Sequence, residues 1–219
     1  RDLLRGILIW SANDASVAAA EAVSGSVDDF VAAMNRRAVQ WGAANSHFEN
    51  PHGLHSKTHY STARDLALIA VHAMRLPEFR KIAATRSVRM VRPVPVALDA
   101  NEKQERKHNG STVRYEPRVF MNRNRLLLGW DLCDGIKTGY TQPAGRCLAA
   151  SATRDGWRAI AVVLKCKDEW REARELLEWA FANYEMRTVV PAGYAGWRMS
   201  VRDGVRSTVL VEARSAIRV

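Results

Sequence analysis

Residues 134–141 read DGIKTGYT. The run places a lysine, Lys137, inside what reads as a buried strand, followed by Thr138, Gly139, Tyr140 and a second hydroxyl, Thr141. An ammonium in an apolar strand is unfavourable unless it is paired or used. Either Lys137 faces solvent beside a turn, or it belongs to an active site. Lys-Thr-Gly occurs often by chance, so the neighbouring segments have to decide.

Downstream, CLAASATRDGWRAIAVVLK holds two apolar runs joined by Asp155-Gly156. Asp-Gly between such runs signals a tight hairpin. Residues 167–184 then put Trp170, Ala173, Leu176, Leu177, Ala180 and Phe181 on one helical face. Upstream, residues 86–120 alternate but carry Pro, Asn and Gly, and read as irregular strands and loops. The first third is helical. Residues 1–9 read as one helix, and Asp14 reads as the cap of a second that runs through SVAAAEAV to Gly25. Ser26, with Asp29 three residues on, caps a third helix carrying Phe30, Met34, Ala38 and Trp41, closed by Gly42. Residues 43–60 are rich in Asn, His, Gly and Ser and read as loop. STARDLALIAVHAM follows as a capped amphipathic helix, and Pro77 starts a short one. From residue 187 the texture changes to short strand-like runs, VVPAGYAGW, MSVRDGV and STVLVEA. This order predicts an α+β fold with an antiparallel sheet rather than a doubly wound parallel one. It also predicts a division into residues 1–186 and a β-rich opening at 187–219.

The 219 residues are 47% hydrophobic and 26% charged, which suits a folded domain with a substantial core. A net charge of +10 favours anionic partners: nucleic acid, anionic lipid or an acidic wall polymer. The basic residues are scattered, with denser groups at 86–92, 103–107 and 114–125 and no aromatic platform among them, which argues against specific nucleic-acid binding. Nothing approaches the ~18 apolar residues of a membrane span. Cys133, Cys147 and Cys166 fit no zinc spacing and read as buried free thiols, with a Cys147–Cys166 bridge left open. His47, His52, His55 and His59 lack a helical i, i+4 frame, so they read as a surface loop and no metal is expected. The opening RDLLRGILIW has no initiator Met and no cleavage site, and reads as a start in mid-domain, as in a processed or truncated product.

DGIKTGYT has a companion. WSANDAS sets Ser11-Ala12-Asn13 between two helices. Ser-x-Asn at a helix junction, Lys-Thr-Gly on a strand, then a hairpin and a helix resembles the serine penicillin-binding proteins, and within them the low-molecular-mass D-alanyl-D-alanine carboxypeptidases. RDLLRGILIWSANDASVAAAEAVSGS, the NPHGL loop, YSTARDLALIA, NRNRLL and DGIKTGYTQPAGRCLAASA look like segments of that family in the family's order, over most of residues 1–185. The resemblance implies a β-lactamase/transpeptidase-like domain that trims peptidoglycan pentapeptides by acyl-enzyme chemistry, binds β-lactams, needs no cofactor and works outside the cytoplasmic membrane. It implies roles for single residues. Ser11 would shuttle a proton, Asn13 would anchor the substrate amide, and Lys137 would add positive potential and transfer protons. Thr138 would contact the substrate carboxylate, with Arg123 of NRNRLL beside it. Gly139, Tyr140 and Thr141 would line the substrate strand, the Tyr140 N–H helping to form the oxyanion hole.

One motif departs from the family. Its nucleophile lies in Ser-x-x-Lys, and none of the thirteen serines here has lysine three residues on. The nucleophile is therefore expected on a missing or separate N-terminal segment, supplied by a complementing fragment or a swapped subunit. Two alternatives stand beside the enzyme: a non-catalytic peptidoglycan-binding remnant or scaffold, and a class A β-lactamase, which the absence of Glu-x-x-Leu-Asn disfavours.

Overall fold

The computed structural model describes residues 1–95, 106–108, 111–200, 202 and 208–218. Helices α1 (Asp2–Arg5), α2 (Asn13–Ser24), α3 (Val27–Gln40), α4 (Ala63–Met74) and α5 (Pro77–Ala83) come first. Strands β1 (Ser87–Pro95), β2 (Arg106–His108) and β3 (Ser111–Met121) follow, then α6 (Arg125–Gly129). Next stand β4 (Cys133–Thr141), β5 (Gly145–Arg154), β6 (Trp157–Cys166) and α7 (Glu169–Asn183). The chain divides into two compact units, Arg1–Glu178 and Trp179–Val219. The second carries two antiparallel pairs, β7 (Thr188–Val190) with β10 (Ile217–Arg218), and β8 (Trp197–Ser200) with β9 (Thr208–Val211). Lys103 of the 103–107 group and Gly204 of MSVRDGV lie outside the described residues.

Local chemistry explains most boundaries. The Ser26 Oγ accepts from the Asp29 N–H and the Thr62 Oγ1 from the Asp65 N–H, so both helices begin on hydroxyl caps. Pro77 stands at the first position of α5, where its missing N–H has no intrahelical partner to lose. Asp155 and Gly156, at φ 50° and 81°, form the tight turn between β5 and β6.

Four expectations change. Residues 1–9 are not one helix: α1 gives way to a π-helical turn over Gly6–Trp10. Asp14 does not cap α2; it lies in the first turn and accepts only from the Ala15 N–H at 2.9 Å. The described residues of the 86–120 stretch are more regular than their prolines suggested; residues 96–105, 109 and 110 lie outside the described residues. β1 pairs with β3 without a break from Ser87↔Met121 to Pro95↔Val113. β2 pairs with β3 only over residues 111–113, so Pro93 on the outer strand β1 and Pro117 further along β3 each keep one backbone edge without a strand partner among the described residues. On α7, Ala173, Leu177 and Phe181 are buried but Leu176 is 48% exposed, so its apolar face is narrower than the pattern implied.

The sheet that matters for function has the order β4-β5-β6, all antiparallel. Ala70 and Met74 of α4 pack on Ile136 of β4, with Phe79, Ala149 and Ile160 completing the cluster. A second cluster joins Leu8 and Ile9 of the π-helical turn to Ile82, with Phe79 and Val88 against it. Phe79 thus ties the helix layer to the turn that precedes Ser11. Asp134 laces the three strands together. Its carboxylate accepts from Ser151 Oγ at 2.6 Å and Thr153 Oγ1 at 2.6 Å on β5, and from Arg158 Nε and Nη2 at 2.9 and 2.7 Å on β6. Burial alone would raise the Asp134 carboxyl, but these donors outweigh it and hold it below its ordinary value.

Removing the carboxylate strands one guanidinium and two hydroxyls. Asp134→Ala is expected to lose about 2–3 kcal/mol in urea unfolding at pH 7. Because the folded carboxyl titrates below the unfolded one, its contribution is present above pH 3.8 and fades as pH falls through the folded value. The wild-type and Asp134→Ala stabilities should therefore converge in acid.

Candidate active site

The π-helical turn ends with Ser11 in the left-handed region, at φ 61° and ψ 44°. The Ala12 N–H donates back to the Gly6 carbonyl at 3.0 Å and closes the turn. The chain then reverses and α2 begins at Asn13. That reversal leaves Ser11 half-buried at a helix junction, facing β4.

Lys137 reaches the same point from the other end of the sequence. Its Nζ donates to Ser11 Oγ at 2.8 Å and to the Thr138 carbonyl at 2.7 Å, although Ser11 and Lys137 are 126 residues apart in sequence. Its strand neighbour Ile136 points into the core cluster, so alternation along β4 turns Lys137 to the opposite face. Burial holds the Lys137 ammonium down to about 8, and the nearby Arg123 guanidinium pushes the same way. The lysine is thus a hydrogen-bonded cation whose proton is held less tightly than an ordinary lysine's, giving it up near pH 8.

Arg123 is placed by its flanks. Asn122 and Asn124 are buried and polar. The Asn122 Nδ2 donates to the Thr85 carbonyl at 3.0 Å, and its Oδ1 accepts from the Asn124 N–H at 2.9 Å. The Asn124 Oδ1 accepts from the Leu126 and Leu127 N–H groups and caps α6. Between them the Arg123 N–H donates to the Ile9 carbonyl at 3.1 Å, and its guanidinium lies 4.5 Å from the Trp10 ring centroid.

The other candidates are arranged less tightly. Asn13 is exposed at the start of α2, with its side chain free of hydrogen bonds to the described residues. Thr138 is half-buried and pairs in register with Leu148, and Gly139 pairs with Cys147. The Tyr140 side chain is 70% exposed. The Thr141 Oγ1 accepts from the Ala144 N–H at 3.2 Å, so that hydroxyl is engaged in the β4–β5 turn. β4 is an outer strand of its sheet, and its far edge has no strand partner among the described residues. Sequence reasoning missed Trp10, Asn122 and Asn124; only the Asn-x-Asn ahead of a leucine pair offered a capping signal.

Elsewhere, all three cysteines are free thiols. Cys133 is buried, and burial pushes it up to about 11, while Cys147 and Cys166 are partly exposed, contrary to expectation. They lie towards the open end of the hairpin, where the β5–β6 register shifts between Arg146 and Leu148. In the histidine loop the His47 backbone bridges to Tyr60, and the His59 Nδ1 accepts from the Glu49 N–H. Among the described residues no three His, Cys, Asp or Glu side chains are gathered as a metal would need. No described helix is long and apolar enough to cross a membrane.

Residues 1–168 match the family described as Peptidase_S11, D-alanyl-D-alanine carboxypeptidase. The chain belongs to this family. Among Peptidase_S11 relatives, D-alanyl-D-alanine carboxypeptidase DacA of Haemophilus influenzae is 38% identical across 93% of the chain and 49% of its own length. DacF of Bacillus subtilis is 34% identical across 93% of the chain and 48% of its own length. The chain spans about half the length of these curated relatives. A crystal structure of penicillin binding protein 5 from Haemophilus influenzae superposes with a TM-score of 0.76 at 35% identity, covering 100% of the chain and 58% of that protein. The Streptomyces K15 DD-transpeptidase gives 0.69 at 28% identity, covering 83% of the chain and 67% of its own. The fold is the α+β, β-lactamase/transpeptidase-like fold of the Peptidase_S11 enzymes.

Lys137 is expected to titrate near pH 8 by isotope-resolved NMR, and Arg123→Ala should move that midpoint upward by removing a like charge. The sign for stability follows. The folded lysine loses its proton more readily than the unfolded one at 10.5, so its burial penalty is full below pH 8 and lifts as pH rises towards 10.5. Lys137→Met is therefore expected to gain stability at pH 7 relative to wild type, and to lose that advantage at pH 10.5.

Proposed function

We propose that the chain forms the substrate-binding and proton-transfer half of a serine-type D-alanyl-D-alanine carboxypeptidase acting on peptidoglycan pentapeptides. The observation that carries this reading is the 2.8 Å contact between Lys137 Nζ and Ser11 Oγ, beside an open strand edge and an arginine. The nucleophile is a serine of a Ser-x-x-Lys segment outside these 219 residues, joined to the chain or bound to it as a separate piece.

The chemistry is acyl transfer in two steps. The nucleophilic hydroxyl attacks the carbonyl of the penultimate D-alanine and passes its proton to a neighbouring base. The C–N bond breaks, and the terminal D-alanine leaves with a proton delivered through Ser11. Water then takes up the acyl group and frees the enzyme. Lys137, hydrogen-bonded to Ser11, lowers the energy of proton movement through that hydroxyl, and an ammonium that titrates near neutrality suits the task. Its charge also stabilises the developing oxyanion, towards which the Tyr140 N–H contributes. The substrate lies along β4 as an added strand past Gly139 and Thr141, with its amide on Asn13. Thr138 and Arg123 take the terminal carboxylate. No metal or organic cofactor takes part. β-Lactams occupy the same groove, and the reaction takes place outside the cytoplasmic membrane, where the polymer lies.

A second reading, a wall-binding protein that keeps the groove without the reaction, is favoured by one fact. None of the thirteen serines is followed three residues on by lysine.

Intact mass of the native protein before and after benzylpenicillin separates the two. The enzyme reading expects a covalent adduct on the polypeptide bearing Ser-x-x-Lys. It also expects Lys137→Ala to slow adduct formation by about 100-fold or more. A native protein that binds peptidoglycan peptides but takes no adduct would establish the wall-binding reading instead.

A further inference from the structure

Trp10 is a large aromatic side chain, 39% exposed, immediately before Ser11. Two contacts hold it. The buried Phe120 ring meets it edge to face at 5.0 Å between centroids, and the Arg123 guanidinium lies over it at 4.5 Å. Phe120 is the penultimate residue of β3, so the stack ties the end of that strand to the turn carrying Ser11. Arg123 has no carboxylate partner among the described residues. Its charge is nonetheless felt at Lys137, so the two cations share one region with no anion between them. An exposed arginine without an acidic partner samples many rotamers unless something restrains it, and an aromatic face is a restraint that leaves the N–H donors free.

We propose that Trp10 is a positioning residue: its indole face holds the Arg123 guanidinium beside the Lys137–Ser11 pair, with its donors turned outward for the carboxylate that ends the substrate. The inference rests on the reading of Arg123 as a carboxylate-binding group. Phe120 sets the angle of the indole, and the indole sets the place of the guanidinium. Trp10 touches neither the substrate nor the reacting atoms. Losing the face leaves the donors intact but pays their ordering at the moment of binding, so the loss falls on substrate affinity and spares the chemical step.

The test uses the native protein with Trp10→Leu and Trp10→Phe, and diacetyl-L-lysyl-D-alanyl-D-alanine as substrate. Trp10→Leu keeps an apolar side chain against Phe120 but offers no π face; Trp10→Phe keeps a face. The expected result is a KM raised about 3- to 30-fold in Trp10→Leu with kcat within about twofold, and largely restored in Trp10→Phe. The NMR midpoint of Lys137 should also rise in Trp10→Leu, as Arg123 drifts away, and stay near the wild-type value in Trp10→Phe. An unchanged KM and an unchanged Lys137 midpoint in Trp10→Leu would overturn the proposal. So would a fall in kcat of equal size in both variants, which marks general damage to the turn. If the wild-type protein fails to hydrolyse the peptide, the carboxypeptidase reading falls, and the Lys137 midpoints still decide whether Trp10 holds Arg123.

Discussion

A single polar contact joins the two ends of this site. The Lys137 ammonium leaves the strand face opposite the core and ends 2.8 Å from the Ser11 hydroxyl. The helical first third supplies one partner and the sheet supplies the other. The surrounding structure can be understood as what keeps those atoms together. Phe79 packs on both core clusters, one under β4 and one under the turn that carries Ser11. The backbone bond from Arg123 to Ile9 closes the third side. A shift of either layer would move Ser11 relative to Lys137, and the proposed proton transfer would tolerate little of that.

The same packing explains the poise of the lysine. Burial alone disfavours its charge, and a neighbouring guanidinium disfavours it further. Most folds would relieve such a site with a carboxylate. Here no carboxylate among the described residues pairs with Lys137, and the Asp134 carboxylate of the same strand bonds Ser151, Thr153 and Arg158, which stitch β4 to β5 and β6. The pocket is left with surplus positive charge, a common device for drawing in an anionic ligand.

Much of this was legible from the residues. The Asp155-Gly156 turn was readable because few residue pairs accept positive φ twice in succession, and the Ser26 and Thr62 caps because a hydroxyl three residues ahead of an acid has few other uses. The antiparallel α+β order followed from the order of the elements, and the placing of Lys137 beside Ser11 from the family resemblance. What was hidden depends on tertiary contact. The left-handed Ser11 and the π-helical turn before it have no propensity signature of their own. Trp10 drew no reading of its own, because its partners Phe120 and Arg123 come from the end of β3 and the segment after it. The regular β1–β3 register was masked by prolines that strand edges without a partner can absorb. Leu176 fitted the helical stripe but fell outside the narrower band that is covered.

The backbone of Ser11 narrows the sequences that can carry this chemistry. The proposed proton transfer needs a hydroxyl there, and by chemistry alone threonine would serve as well as serine. At φ 61° a β-branched side chain crowds its own backbone, so threonine is penalised for its shape and not its function. Glycine or asparagine would suit the turn but abolish the hydroxyl. Serine is left as the residue that meets both demands. Drift at position 11 is therefore closed in two directions at once, and under the proposed function a change there should surface together with loss of the reaction rather than as a tolerated variant.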